Sequence, residues 1–324
     1  MGVRIGTRGS QLAVTQSQHT ADQLAAVGGF ETELIRIKTD GDVLTGPLSQ
    51  MGGTGVFAVA LRDALLVERC DVAVHSLKDL PTAAVPGLTI AAVPAREDVR
   101  DALCARDGLT LETLPIGSRV GTGSPRRAAQ LLLTRPDLEI VDIRGNVDTR
   151  LGRVPGLPGN AADAPGDLDA VVLAASGLKR LGRTDVISEY LETSVMLPAP
   201  GQGALAVETR SADAPQDLSQ AAAPDVLAQA LAAIDDADSR LAVTAERALL
   251  ARLEAGCAAP VGAHAFRKGS FLHLQAVVCA PDGTRHERRS KATDVFTEVG
   301  ATLLGIELAE ELLDAGVADF ADLG

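Results

Sequence analysis

"SRVGTGSPRRAAQLLLTRPDLEIVDIR" (residues 118–144) reads as a strand, a turn, a helix and a second strand. "SRVGT" is the first strand. Ser124 suits a helix N-cap and Pro125 the first helical position, where a missing N–H costs nothing. "SPRRAAQLLLTR" is the helix and "LEIVDIR" the returning strand. The same alternation runs before it, in "VRIGT" (3–7), a helix over 10–27 capped by Ser10, "TELIRIKT", "VFAVALRDALLVER" and "DVAVHS". It continues after it in "NVDTRLGR", "LDAVVLA" and "SGLKRLG". Strand–helix alternation of this kind predicts parallel sheets with crossover helices.

Two stretches break the rhythm: "AVPAREDVRDAL" (92–103) and "LPAPGQGALAVETR" (197–210). They read as the two strands of a hinge, by which the chain leaves one α/β domain and returns to it. Residues 211–226, rich in Ala, Asp and Pro, read as a linker, and "VPGLPGNAADAPGD" (154–167) as a surface loop. An amphipathic helix over 239–256 follows. Strands near 259–266, 271–279 and 284–291 come next, then a last helix over 295–315. That set predicts a small C-terminal α+β domain with a three-stranded sheet. The expected division is 1–95 with 202–224, then 96–201, then 225–324.

Composition narrows the classes. Of 324 residues 46 % are apolar but only 2 % aromatic, with no Trp and one Tyr, so the cores must be Ala, Val, Leu and Ile. A net charge of −13 argues against nucleic-acid or anionic-membrane partners, which require clustered positive charge. No window approaches the roughly 20 apolar residues of a membrane helix. The N-terminus lacks a basic segment followed by an apolar core, so no secretory signal and a cytoplasmic location are expected. The four cysteines have no CxxC spacing and read as free thiols. No cluster has metal-ligand spacing, so no metal is expected.

The acidic total hides a local pattern. Arg8, Arg126, Arg127, Arg144, Arg150 and Arg180 each fall at a strand-to-helix junction or in a first helical turn. Cations there oppose the helix dipole, but together with free backbone N–H groups they make an anion site. In an open α/β sheet such junctions gather beyond the carboxyl ends of the strands. Each arginine could instead pair with a nearby acid. Six at equivalent junctions favour a cleft for a multiply anionic ligand, carboxylate or phosphate. "MGGTGVF" lacks the Lys-Ser/Thr ending of a nucleotide loop, which sets ATP aside. In "DVAVHSLKDLP", Lys78 and Asp79 end a buried strand. A carboxylate beside basic groups keeps its charge, so Asp79 could steady a developing cation or move a proton, or simply form an ion pair. His75 reads as packing at the strand end.

Cys70, Cys104 and Cys279 lie in apolar patterns and read as small core residues. Cys257, in "GCAAP", sits outside periodic structure. It is either another small core residue or a thiol placed where something can attach. His264 invites a Cys–His pairing, but it falls in a predicted strand and no Asn or Asp completes a triad.

"RIGTRGSQLA", "TDGD", "GGTGVF", "VHSLKDLP", "VGTGSPRRAAQL", "IRGNVDTRL", "LAASGLKRLG", "PAPGQGALAVE" and "AERALLARLEAGCAAPVGA" occur in one order along almost the whole chain. In this the chain closely resembles the porphobilinogen deaminase, or hydroxymethylbilane synthase, family. The resemblance implies two α/β domains like the halves of periplasmic binding proteins, joined by a two-strand hinge, and a third small domain whose loop presents a cysteine. That cysteine matches Cys257, which would carry one dipyrromethane cofactor through a thioether. The implied reaction is deamination and head-to-tail joining of four porphobilinogen molecules, then hydrolytic release of hydroxymethylbilane. Asp79 matches the catalytic aspartate. Lys78, Ser124, Arg126, Arg127, Arg144 and Gly145 match cofactor-binding positions. Arg8, Ser10, Phe57, Arg144, Arg150, Arg180 and Gln202 match substrate-binding ones. Acetate and propionate groups on each pyrrole explain guanidiniums in an acidic protein. The resemblance also implies a monomer. Thr54 and Val59 stand where many relatives have lysine, so that loop is less basic here, and Pro125 stands where many have leucine. Without chemistry, the same two-lobed fold would be a cytosolic binder of polycarboxylates.

Overall fold

The computed structural model describes residues 2–38, 56–161, 164–214, 225–256 and 259–323, and the side chains of all of these but Val56 and Phe57. The chain forms two compact units, Met1–Glu97 with Ala204–Thr244 and Asp98–Gly203 with Ala245–Gly324. The elements open with β1 (Gly2–Thr7), α1 (Gln11–Gly28), β2 (Glu31–Arg36), α2 (Val56–Leu66), β3 (Val72–Ser76) and β4 (Leu88–Ala92). Then come β5 (Asp101–Ala105), β6 (Arg119–Gly121), α3 (Pro125–Thr134), β7 (Glu139–Val141), α4 (Val147–Leu151), β8 (Ala170–Ala174), α5 (Ala175–Arg180) and β9 (Glu189–Leu191). The rest are β10 (Leu205–Arg210), α6 (Val226–Ile234), α7 (Ala237–Arg252), β11 (Val261–Lys268), β12 (Phe271–Cys279), β13 (His286–Thr293) and α8 (Glu298–Asp314).

Among the described residues, the first unit holds a five-stranded sheet in the order β2-β1-β3-β10-β4. β1 runs parallel to β2 and β3, with Gly6 opposite Ala73. β10 runs antiparallel to both its neighbours. The second unit repeats the plan in the order β7-β6-β8-β5-β9, with β6 parallel to β7 and β8, and β5 antiparallel to β8 and β9. The sheets are therefore mixed rather than wholly parallel. The reversed strands are the ones read as a hinge. Each begins just past a crossing between units and enters at the carboxyl end of the parallel strands. Asp101 pairs with Ala174, the last residue of β8, and Leu205 with Ser76, the last of β3. Residues 93–100 carry no regular structure. The third sheet, β11-β12-β13, is antiparallel throughout.

Alternation across each strand divides the cores. In the first unit Val3, Ile5, Val72 and Val74 pack with Ala21 and Leu24 of α1 and Leu227 and Leu231 of α6. Ala73 faces the other way, onto Leu61, Leu65 and Cys70. Ser10 caps α1, its hydroxyl accepting from Ala13 N–H at 3.3 Å. Helix α6 lies at the end of the stretch read as linker. It is capped by Asp225, which accepts from Leu227 N–H at 3.0 Å. Residues 215–224 of that stretch lie outside the described residues. Cys70, Cys104 and Cys279 are buried free thiols, and burial pushes them up to about 11, 12 and 11.

The third sheet belongs to the second compact unit. At the β12–β13 turn, Gly283 adopts φ 73° against α3, where an added Cβ would lie 2.7 Å from Leu133 N. Ala263 N–H of β11 donates to the Pro198 carbonyl at 2.9 Å.

Candidate active site

In the first unit the candidate residues follow two paired parallel strands. Arg8 and Ser10 lie between β1 and α1. Lys78 and Asp79 form a 3-10 turn, Leu77–Asp79, directly after β3. The junctions therefore share one end of the sheet. The turn is pinned on both sides by buried Leu77 and Leu80, by Leu80 N–H on the Leu77 carbonyl at 3.1 Å, and by Leu77 N–H on the Ala204 carbonyl at 3.1 Å. Asp79 and Lys78 are half-buried between these anchors. Below them His75 Nε2 sits 3.1 Å from Glu208 Oε2, and Arg62 reaches the same carboxylate from α2 at 2.9 Å. Burial alone would raise the Glu208 carboxyl; its contacts with His75 and Arg62 hold it below its ordinary value.

In the second unit a buried cluster forms around a residue the sequence reading passed over. Asp101 opens β5 and is wholly buried. It accepts from Arg126 Nη1 at 2.8 Å, from Arg127 Nε and Nη2 at 2.9 and 2.7 Å, and from Gln202 Nε2 at 2.9 Å. Pro125 starts α3 as expected, while Ser124 takes the cap position without a side-chain cap bond. The first turn aims Arg126 and Arg127 inward rather than outward, and both are buried. The pairing with an acid left open by the sequence is thus observed for these two arginines. Gln202 also donates to the Val99 carbonyl at 2.8 Å, so its amide N–H groups serve the chain itself. Burial alone would raise the Asp101 carboxyl; the two positive charges and their hydrogen bonds hold it far below the carboxylate range. A signal was available: an acid heading an apolar strand, "DALCA", must find a partner when buried.

The other candidate arginines of this unit sit at neighbouring junctions. Gly123 passes so close to the chain just after β7 that a Cβ would stand 2.6 Å from the Ile143 carbonyl oxygen, which brings the Ser124 loop against the Arg144 loop. Gly145 takes φ 103°, and Arg150 Nε donates to its carbonyl at 3.0 Å. Asn146 caps α4, accepting from Thr149 N–H at 2.8 Å. Arg144 remains exposed, with Asp142 3.7 Å away. Arg180 Nη2 donates to the Gly203 carbonyl at 2.7 Å, beside Gln202.

The Leu197 carbonyl ties the cluster to the third sheet. It accepts from Arg126 Nη1 at 2.6 Å and from Gln130 Nε2 at 3.0 Å, and it lies 2.8 Å from where a Cβ on Gly262 of β11 would sit. Glu246 of α7, fully buried, accepts from Gly201 N–H at 2.6 Å and from Ala265 N–H at 2.7 Å. Cys257, just ahead of β11, lies outside the described residues, as do Thr54 and the Phe57 side chain. His264 meets Phe266 within β11 at an interplanar tilt of 34°, ring centroids 5.2 Å apart. Among the described residues no helix is long and apolar enough to cross a membrane.

Residues 3–217 match the family model for the porphobilinogen deaminase dipyrromethane cofactor binding domain, and residues 240–314 that for the porphobilinogen deaminase C-terminal domain. The chain is 57 % identical to porphobilinogen deaminase of Cutibacterium acnes, covering 99 % of this chain and 97 % of that protein. It is 54 % identical to the Micrococcus luteus enzyme (99 % and 94 % covered) and 50 % to that of Mycobacterium tuberculosis (98 % and 97 %). Among solved structures, a methionine binding protein is similar over 71 % of this chain and 89 % of its own, with a TM-score of 0.41 and 12 % identity. A periplasmic substrate-binding protein from Coxiella burnetii covers 72 % and 91 %, with a TM-score of 0.42 and 14 % identity. Matched by both family models and half or more identical to these relatives along their length, the chain belongs to the porphobilinogen deaminase family.

Proposed function

We propose that Arg126 and Arg127 hold carboxylates of the pyrrole chain, that Asp79 is the catalytic acid group, and that Cys257 anchors the cofactor. Membership of the family makes the protein a transferase of tetrapyrrole biosynthesis that joins porphobilinogen units and contains dipyrromethane. The observation that carries the residue assignment is charge. Two buried guanidiniums converge on one carboxylate, and Arg126 Nε is buried without an acceptor. One positive charge is left over in a poorly solvated place, where an unpaired ion is costly. A carboxylate-bearing group fits that surplus.

Lys78, Ser124, Arg144 and Gly145 would help hold the dipyrromethane, which when bound supplies the nucleophilic pyrrole end from which the product grows. Arg8, Ser10, Arg150 and Arg180 would bind substrate carboxylates through charge-assisted hydrogen bonds. Phe57 is assigned near the growing end. Asp79, held on a turn fixed by Leu77 and Leu80, stabilises the positive charge that ammonia loss leaves on the substrate. Its carboxylate meets pyrrole N–H groups as acceptor. Gln202 orients Asp101. The three-domain division stated above is supported by the separate third sheet and by the two family models. The working form is a cytoplasmic monomer without nucleic-acid or membrane partners.

Intact-protein mass tests the anchor. The native protein should exceed its sequence mass by two linked pyrrole units, and Cys257→Ser should lose that addition together with turnover. A Cys257→Ser protein that keeps full activity overturns the assignment. A binder without chemistry would release no ammonia from porphobilinogen.

A further inference from the structure

We infer that Asp101 is a positioning residue for pyrrole-carboxylate binding: it sets the orientation of the Arg126 and Arg127 guanidiniums and leaves one positive charge for the ligand to match. The inference rests on the reading that those arginines hold carboxylates. It adds a residue that touches neither cofactor nor substrate and acts through its neighbours.

The geometry makes the case. Adjacent arginines in one helical turn repel each other and have many rotamers. Here both are locked by one side chain. Asp101 Oδ2 takes Arg126 Nη1 at 2.8 Å, while Oδ1 takes Arg127 Nε and Nη2, which fixes that guanidinium's plane. Backbone acceptors complete the cage: the Leu197 carbonyl for Arg126 at 2.6 Å and the Val172 carbonyl for Arg127 at 3.1 Å. Among the described residues, Asp101 is the one carboxylate with which either guanidinium pairs. A second acid would make the cluster neutral and remove its attraction for an anion. With none, two buried like charges would face each other unscreened. One acid therefore permits both burial and binding. Gln202 holds the acid in turn, donating to Oδ1 at 2.9 Å and to the Val99 carbonyl at 2.8 Å. That amide joins the segment just after one crossing between units to the segment just before the next.

The test uses the full-length protein with three substitutions: Asp101→Asn, Gln202→Leu and Arg127→Leu. Each is measured for folding by circular dichroism, for the fraction carrying the two-pyrrole addition by intact mass, and for KM and kcat with porphobilinogen. Asp101→Asn should fold yet carry the addition at least tenfold less often, and its loaded fraction should show KM raised more than kcat is lowered. Gln202→Leu, which keeps the charge and removes one donor, should shift both readouts in the same direction by two- to threefold. A merely structural role would lower thermal stability and leave loading and KM of the folded protein unchanged; that result for Asp101→Asn overturns the inference. If Asp101→Asn does not fold, a folded Gln202→Leu with wild-type loading and KM overturns it equally. Arg127→Leu separates the two levels. If it loads and binds normally, the underlying reading of the arginines fails. If it is impaired while Asp101→Asn is not, only the role of Asp101 fails.

Discussion

The two five-stranded sheets share a strand order and each contains one reversed strand, antiparallel to both its neighbours, yet the charge buried on that strand differs. In the first unit Glu208 lies deep in β10, opposite Ala73, and meets Arg62 and His75. There one guanidinium meets one carboxylate. In the second unit Asp101 lies at the very start of β5, opposite the last residue of β8, and meets two arginines. That cluster does not balance. One topology thus buries a paired lock in the middle of one sheet and, at the end of the other, a charge-surplus cluster that we propose as a carboxylate-binding place. Position along the strand separates them, because ligands of open α/β sheets gather at the carboxyl ends of the parallel strands. The same contrast separates the residues proposed for the site. The first unit offers an acid on a pinned turn, the second a set of guanidiniums.

The sharpest way to break this contrast is kinetic. Asp79→Asn should lower kcat by a hundredfold or more, on the order of what one positioned electrostatic or proton-transfer group supplies. KM and the unfolding midpoint should stay near wild type. Unchanged turnover rejects the catalytic role, and a raised KM with normal kcat would make Asp79 a binding residue like the arginines.

A thermodynamic test comes next. Glu208→Leu leaves Arg62 and His75 buried without their acid, so urea unfolding should show a loss of about 3–5 kcal/mol. Protein that does fold should still carry the two-pyrrole addition. A loss below about 1 kcal/mol, or a folded variant that fails to load, would erase the distinction between lock and binding place.

The smallest effect concerns acid. Near the Asp101 cluster, hydrogen bonds from Arg100 hold Asp98 down at about 2, against the usual 3.8. Its folded value lies below its unfolded one, so the unfolded chain takes up the proton first. The stabilisation is therefore complete above 3.8 and drains away as pH falls towards about 2. Thermal midpoints measured across that window should fall less steeply for Asp98→Asn than for wild type. Identical slopes would remove Asp98 from the second unit's acid sensitivity.

Much of the architecture is legible residue by residue. Ser10 and Asn146 cap the helices they precede because a short polar side chain before a helical run reaches back to the N–H three residues on. The three strands of the last sheet start within two residues of their expected positions. Helix α6 is not among the expected elements: Asp225 and the spacing of Leu227, Ala230 and Leu231 signal it, but it adjoins a stretch whose composition suits a linker. The role of Asp101 was not legible. Its partners lie 25, 26 and 101 positions away, so the apolar run "DALCA" signals that the acid needs a partner but not which groups supply it.

The amino-acid order alone determined most of the elements, the caps at Ser10 and Asn146, the aromatic-poor cores and the junctions that carry arginine. These follow from backbone propensity and from apolar spacing within a few residues of each other. The direction of β5 and β10, the inward aim of Arg126 and Arg127, and the single acid between them were decided only in three dimensions. Strand direction depends on where the chain enters a sheet, and a buried charge settles its partner through geometry and desolvation, neither of which is written in local sequence.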